Sequence, residues 1–246
     1  MDPDYGPSTY GERIANVYDT WFSLPKDTEP AVEFLAGLAG VGPALELGIG
    51  TGRVALPLAA RGIEVHGIDA SEAMVAKLRA KEGGDRIPVT MGDFAEFGVE
   101  GKYPLVYVVF NTLFALLTQE DQLRCFANVA RRLTDGGAFV IQAFVPDVTL
   151  FTRGARLATQ FVGVDKAVMD VAELDMATQQ VIAQHVVLED GRVSMYPVKL
   201  RFTYAPEMDL MARLGGMRLR ERWAGWSKEP YGASSGQHIS VYELDR

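Results

Sequence analysis

The spacing of apolar residues changes period several times along the chain. In STYGERIANVYDTWF, Ile14, Val17, Tyr18 and the Trp21–Phe22 pair recur at helical spacing, with Ser8 or Thr9 placed to cap the helix. TEPAVEFLAGLAG predicts a second helix, with Pro30 at an early helical position and Gly40 as its end. From Pro43 onward the period alternates. A strand over 43–48 precedes a helix in TGRVALPLAARG, although Pro57 inside that pattern weakens the helix start. IEVHGID is the next strand, SEAMVAKLRAKEGG a helix capped by Ser71, and RIPVTMGD a short third strand. YPLVYVVFN has the continuous apolar run of a strand covered on both faces. TQEDQLRCFANVARRLTDGG is a helix whose Thr118 and Asp121 fit a capping box loosely, and GAFVIQAFV is a fifth strand. Strand–helix repetition of this kind predicts a doubly wound, mostly parallel α/β sheet with helices on both faces.

The rhythm breaks after Pro146. Residues 147–175 show no clean period. TQQVIAQHVVLEDGRVSMYPVKLRFTY then reads as two long strands turning at Asp190-Gly191, an antiparallel hairpin inserted into the α/β pattern. A helix in PEMDLMARLGG and a strand pair in MRLRERWAGW and QHISVYEL close the chain. The expected organisation is a helical leader or lid over 1–41, an α/β core over 42–145, an inserted antiparallel region over 146–205, and a final helix and strand pair over 206–246.

Of 246 residues, 48% are hydrophobic, enough for a substantial core. The net charge of −8 and the absence of a basic run argue against a nucleic-acid partner. The one cysteine, Cys125, lies on the apolar stripe of its helix and reads as core. The N-terminus lacks the apolar segment of a signal peptide and no window spans a bilayer, so no membrane partner and a cytoplasmic location are expected. No His/Cys/Asp set has metal-ligand spacing.

The candidate chemistry begins at the end of the first strand, in LELGIGTGR. A dinucleotide fingerprint starting at Gly48 and Gly50 requires glycine where Arg53 stands; starting at Gly50 and Gly52 it requires glycine at Ala55. Glu46 beside the turn also disfavours a pyrophosphate. Asp69, ending the second strand, suits the two hydroxyls of a ribose. A site that accepts a ribose and a cation but no phosphate fits S-adenosylmethionine. Asp93 ends the third strand, where it can accept from an adenine amine, with Met91 or Phe94 to cover a base face. Asn111 follows the fourth strand on the same sheet edge.

Taken in order, LELGIGTGR, VHGIDASEAMVAKLRAK, VTMGDFAEF, YPLVYVVFNTLFALLTQEDQ and VARRLTDGGAFVIQAF resemble the motifs of class I S-adenosylmethionine-dependent methyltransferases. The resemblance implies that family's seven-stranded, Rossmann-like sheet. It implies Gly48, Gly50 and Gly52 near the methionine part, Glu46 near its amino group, Asp69 at the ribose, and Asp93 and Phe94 at the adenine. Ala70, Met74 and Asn111 complete the implied cofactor set. Tyr18-Asp19 in the leader resembles small-molecule members acting on amino sugars or natural-product intermediates. The implied reaction is in-line methyl transfer to a nitrogen or oxygen of a small molecule. His185, His238 and Tyr18 are the candidate catalytic side chains. The alternatives are an inactive adenosine-ligand binding protein on the same fold and, third, an NAD-dependent oxidoreductase. The hairpin is expected to cover the cleft with one apolar face or to make a homodimer with it.

Overall fold

The computed structural model describes residues 5–22, 25–96 and 98–245, the side chains of 25–27 excepted. The leader is two helices, α1 (Thr9–Phe22) and α2 (Pro25–Ala39). α2 begins earlier than the sequence signals suggest, so Pro30 lies inside it. The core follows as β1 (Ala44–Leu47), α3 (Ala55–Ala60), β2 (Val65–Asp69), α4 (Glu72–Arg79), β3 (Val89–Met91), β4 (Tyr103–Val108), α5 (Gln119–Arg132) and β5 (Leu133–Phe144). Then come β6 (Ala155–Val162), β7 (Lys166–Asp175), β8 (Gln180–Glu189) and β9 (Arg192–Arg201). α6 (Ala205–Leu214), β10 (Met217–Trp223) and β11 (Gln237–Leu244) end the chain.

Local chemistry explains the boundaries. Ser71 Oγ accepts from Met74 N at 3.2 Å and starts α4. Thr118 Oγ1 accepts from Asp121 N at 3.0 Å and starts α5. Both satisfy helix N–H groups that have no partner within the helix. α3 is shorter than expected because the glycine turn extends to Val54. Pro57 then falls in its first turn, where the missing N–H costs nothing.

The main sheet has seven strands in the order β10-β11-β5-β4-β1-β2-β3. β4, β1, β2 and β3 run parallel with β5, whereas β11 pairs antiparallel to both β5 and β10. One face packs a cluster that includes Val106, Phe126, Phe139, Met208 and Tyr242. The other packs Ala44, Tyr107 and Val140 against Val32, Leu35 and Leu58. Cys125 is fully buried in the first cluster, and burial raises its thiol pKa.

The inserted region is larger than the hairpin read from sequence. It is a separate four-stranded antiparallel sheet in the order β6-β7-β8-β9. The predicted turn is present: Asp190 and Gly191 both have positive φ, as a tight β8–β9 turn requires. β6 and β7 escaped notice because much of this sheet is exposed, so burial imposes no simple alternation on them. Cross-strand register puts Asp170, His185 and Tyr196 on one face. That face meets α1, where Trp21 packs edge-on to Tyr196 at 4.8 Å between centroids. Leu157, Val171, Ile182, Val193 and Met195 share the opposite, exposed face. No helix among the described residues is long and apolar enough to cross a membrane.

Candidate active site

A cavity of about 590 Å³ opens at the carboxyl ends of β1, β2, β3 and β4 and is roofed by the leader and the second sheet. The glycine turn forms one wall. Gly48 has φ +72°, and a Cβ there would come within 2.4 Å of Thr112 Cγ2. Only a bare backbone fits between β1 and the segment after β4. Gly48 and Gly50 line the cavity. Gly52 does not, which corrects its expected contact with ligand. Its φ is positive, and a Cβ at this position would lie 2.4 Å from Leu78 Cδ1, so it is a packing position under α4.

Asp69 is the centre of this wall. Its Oδ2 accepts from Gly50 N at 2.7 Å, and its Oδ1 accepts from Ser71 N at 2.8 Å. The carboxylate therefore ties the glycine turn to the start of α4. Burial raises its pKa, against the lowering by these backbone donors. With about four lone-pair directions on its two oxygens, the carboxylate keeps acceptor capacity for a ligand. Ala70 and Met74 line the cavity beside it.

Glu46 is 3% exposed and accepts from the Tyr107 hydroxyl at 3.0 Å. Burial and the nearby Asp69 charge push its carboxyl up to about 8. Asp93 and Phe94 line the adjoining wall, while Met91 is 45% exposed and lies outside the cavity. Asp93 Oδ1 also accepts from Ala95 N at 2.8 Å. Asn111 lines the cavity in a left-handed conformation, with φ +65°, and its Oδ1 accepts from Phe144 N at 2.7 Å. It thereby couples the ends of β4 and β5.

The leader closes the opposite side. Glu12 Oε1 accepts from Ser71 Oγ at 2.8 Å and Ala73 N at 3.0 Å, at the start of α4. Asp19 accepts from Thr51 Oγ1 at 2.6 Å and pairs with Lys81 Nζ at 2.8 Å. Two carboxylates of one helix thus fasten it over the glycine turn. Tyr18 lines the cavity, and Arg53 and Glu46 both act electrostatically on its hydroxyl. Tyr5 and Tyr10 join it in the lining.

Arg53, met in the sequence only as the residue standing where a dinucleotide fingerprint requires glycine, also belongs to the cavity wall. Its guanidinium lies 3.7 Å from the centroid of the Phe110 ring, its Nε donates to Thr28 Oγ1 at 3.0 Å, and it lines the cavity. The available signal was a lone arginine directly following the glycine turn.

The two histidine candidates separate. His185 lines the cavity, with Nδ1 on Asp170 Oδ1 and its ring edge-on to Trp21. His238 is not a cavity residue, and its expected catalytic role is corrected. It is fully buried on β11, with Nδ1 2.8 Å from Ser240 Oγ, and burial lowers its pKa to about 4. Its place at the start of the last strand brought it to the functional edge of the sheet, but the side chain enters the packed layer.

A methyltransferase-domain family model matches residues 44–137. The solved CcbJ methyltransferase from Streptomyces caelestis is 38% identical, covering 98% of this chain and 100% of that one with a TM-score of 0.92. The cypemycin N-terminal methyltransferase from a Streptomyces species is 27% identical across 96% of this chain and 98% of its own length. CalS10, a calicheamicin-pathway amino pentose methyltransferase from Micromonospora echinaspora solved with S-adenosylmethionine, shares the fold at TM-score 0.70 and 18% identity, covering 92% of this chain and 96% of that one. At 38% identity over nearly its whole length with a methyltransferase, and with a methyltransferase-domain match over the segment that carries the glycine turn and Asp69, the chain belongs to the class I S-adenosylmethionine-dependent methyltransferases.

Proposed function

We propose that this chain binds S-adenosylmethionine and transfers its methyl group to an amine nitrogen of a small molecule. The carrying observation is that one cavity is shared by Asp69, Asp93, the glycine turn and the inner face of the second sheet. The cofactor's groups match that lining. Asp69 accepts from the ribose hydroxyls, and Asp93 accepts from the adenine amine while Phe94 covers the ring. Glu46 faces the amino group, and Arg53 is a cation for the methionine carboxylate. Gly48, Gly50, Ala70, Met74 and Asn111 supply close backbone and packing contact. When bound, the cofactor supplies an electrophilic methyl: the acceptor nitrogen forms the new N–C bond, the C–S electron pair returns to sulfur, and the nitrogen sheds one proton.

Amine acceptors are favoured by charge. Asp69, Asp93 and Asp121 line the cavity against the cations Arg53 and Lys199, and a cation bound beside Glu46 draws its carboxyl toward the ionised form. An acid-rich cleft concentrates a cationic substrate. Cypemycin N-terminal methyltransferase is named for a peptide end that carries an amine and CalS10 for an amino pentose, which agrees with this reading. Tyr18 and His185 face the acceptor side. In thermal unfolding, S-adenosylmethionine and S-adenosylhomocysteine are each expected to raise Tm, and NAD is not. A rise with NAD alone overturns the cofactor assignment. A shift without methyl transfer to any amine supports the inactive binding protein instead.

The inserted sheet also suits a homodimer. Leu157, Val162, Val193 and Met195 are each more than half exposed on its outward side. Three ten-residue strands and one of eight span about 33 by 19 Å, roughly 600 Å² a side, at the lower end of what a standard interface buries from each partner. Sedimentation at micromolar concentration is expected to give twice the chain mass, and Val193→Lys with Met195→Lys to give one. A monomeric parent protein overturns this assembly.

A further inference from the structure

We propose that His185 and Asp170 form the proton-accepting pair of the reaction, with His185 Nε2 taking the proton from the acceptor amine and Asp170 acting as the positioning residue. The inference rests on the amine reading above.

The pair is built by strand register. Asp170 on β7 stands directly opposite His185 on β8, and His185 stands opposite Tyr196 on β9. All three side chains share the inner face of the sheet. Asp170 Oδ1 contacts His185 Nδ1, while its Oδ2 accepts from Gln160 Nε2 on β6. A carboxylate can only accept, so Nδ1 carries the hydrogen and the lone pair is left on Nε2. Nε2 makes no hydrogen bond to a described residue, and the ring lines the ligand cavity. Trp21 holds the imidazole from the leader, edge-on at 6.3 Å between centroids, and meets Tyr196 as well. The side chain is thus fixed by a carboxylate on one side and an indole on the other.

The pair also stands between two cavities. His185 lines the large one. A second cavity, of about 380 Å³, is lined by Trp21, Gln160, Phe161, Lys166 and Val168. Gln160 belongs to that outer cavity and holds Asp170. Gln160 thus reaches Asp170 from the side of the sheet away from the ligand cavity's lining.

The step balances simply. The amine N–H bond breaks, its electron pair stays on nitrogen, and the hydrogen bonds to Nε2. The resulting imidazolium is stabilised by the Asp170 carboxylate through Nδ1–H. General-base assistance of this kind contributes about 10²–10⁴ in rate.

The informative substitution is Asp170→Asn. An asparagine amide can donate to Nδ1, which forces hydrogen onto Nε2 and removes the base. Asp170→Ala leaves the tautomer open. A positioning role therefore predicts Asn to be the worse variant, whereas a packing role predicts Ala to be worse. The first readout needs no acceptor. Long-range ¹H–¹⁵N spectra of the holo protein, with His185→Gln assigning the signal, are expected to show Nδ1–H in the parent and Nε2–H in Asp170→Asn. The second uses tritiated methyl donor with a panel of free amines: pyrrolidine, glucosamine and alanine methyl ester. Loss of about 10²–10⁴ in kcat is expected for His185→Ala and Asp170→Asn, with the donor KM unchanged. Nε2–H in the parent, or an Asn variant as active as the parent, overturns the proposal. Failure of the donor to bind any variant or the parent would instead sink the cofactor reading, which keeps the two separable. If none of the three amines turns over, the tautomer measurement alone decides the pair.

Discussion

Asp69→Ala is expected to lower affinity for S-adenosylhomocysteine by roughly ten- to a hundredfold. The carboxylate is the one strong acceptor presented at the end of β2, and hydrogen bonds to an ionised acceptor are worth about 1.5–3 kcal/mol. The substitution also has a cost inside the protein. Gly50 N and Ser71 N lose their acceptors, which lie at 2.7 and 2.8 Å. Two orphaned donors loosen the glycine turn and the start of α4 together, and each costs about 1–3 kcal/mol if it stays buried. Asp69→Asn keeps one acceptor oxygen and the shape, so it should recover part of both losses. Titration calorimetry gives the affinity, and urea unfolding gives the stability. Unchanged affinity in a folded Asp69→Ala protein would remove Asp69 from the binding site. A stability loss with no affinity loss would leave it as a brace for the turn alone.

That double duty bears on what a sequence can reveal. Asp69 was legible because strand, glycine turn and acid follow one another between Ala44 and Asp69, and their order fixes their meeting at one sheet edge. The same holds for Asp93 and Asn111, which follow consecutive parallel strands. The seven-stranded core was readable for the same reason: burial on both faces imposes continuous apolar runs on β4 and β5. The second sheet was half legible. Asp190-Gly191 announced one hairpin, but β6 and β7 are too exposed to carry a period. Asp170 was invisible as a partner, since its meeting with His185 depends on a register between strands that the sequence did not reveal. Gly52 and His238 were assigned by motif position and strand end. In three dimensions Leu78 claims the first and the packed layer around Ser240 claims the second. Motif spacing locates the backbone reliably; where each side chain points is decided by neighbours far along the chain.

Glu46 should give the protein a stability that falls with pH across a window where ordinary carboxylates no longer titrate. The group is 3% exposed, and burial together with the Asp69 charge outweighs the Tyr107 hydrogen bond, so the folded carboxyl titrates at about 8. In the unfolded chain the same group titrates near its ordinary value, about 4.3. Between these values the folded protein holds a proton that the unfolded chain has released. The stabilisation is therefore complete below the unfolded value and is lost as pH rises through about 8. The slope is at most about 1.4 kcal/mol per pH unit, so the parent should lose on the order of 3–5 kcal/mol between pH 5 and 8 relative to Glu46→Gln. Urea unfolding of both proteins at several pH values measures the difference. Parallel curves would show that Glu46 is ionised in the fold. Ligand binding has the opposite sense. A cation brought beside Glu46 favours its ionised form, so donor binding below pH 8 should release a proton and tighten as pH rises. Tyr107 and Tyr18 have raised pKa values and stay neutral throughout this range, so neither tyrosine supplies that proton. Asp69 shares the cavity and its pKa is also raised, which is why the glutamine variant is the necessary reference. Calorimetry in two buffers of different ionisation heat reads the released proton directly, and its persistence in Glu46→Gln would assign it to Asp69.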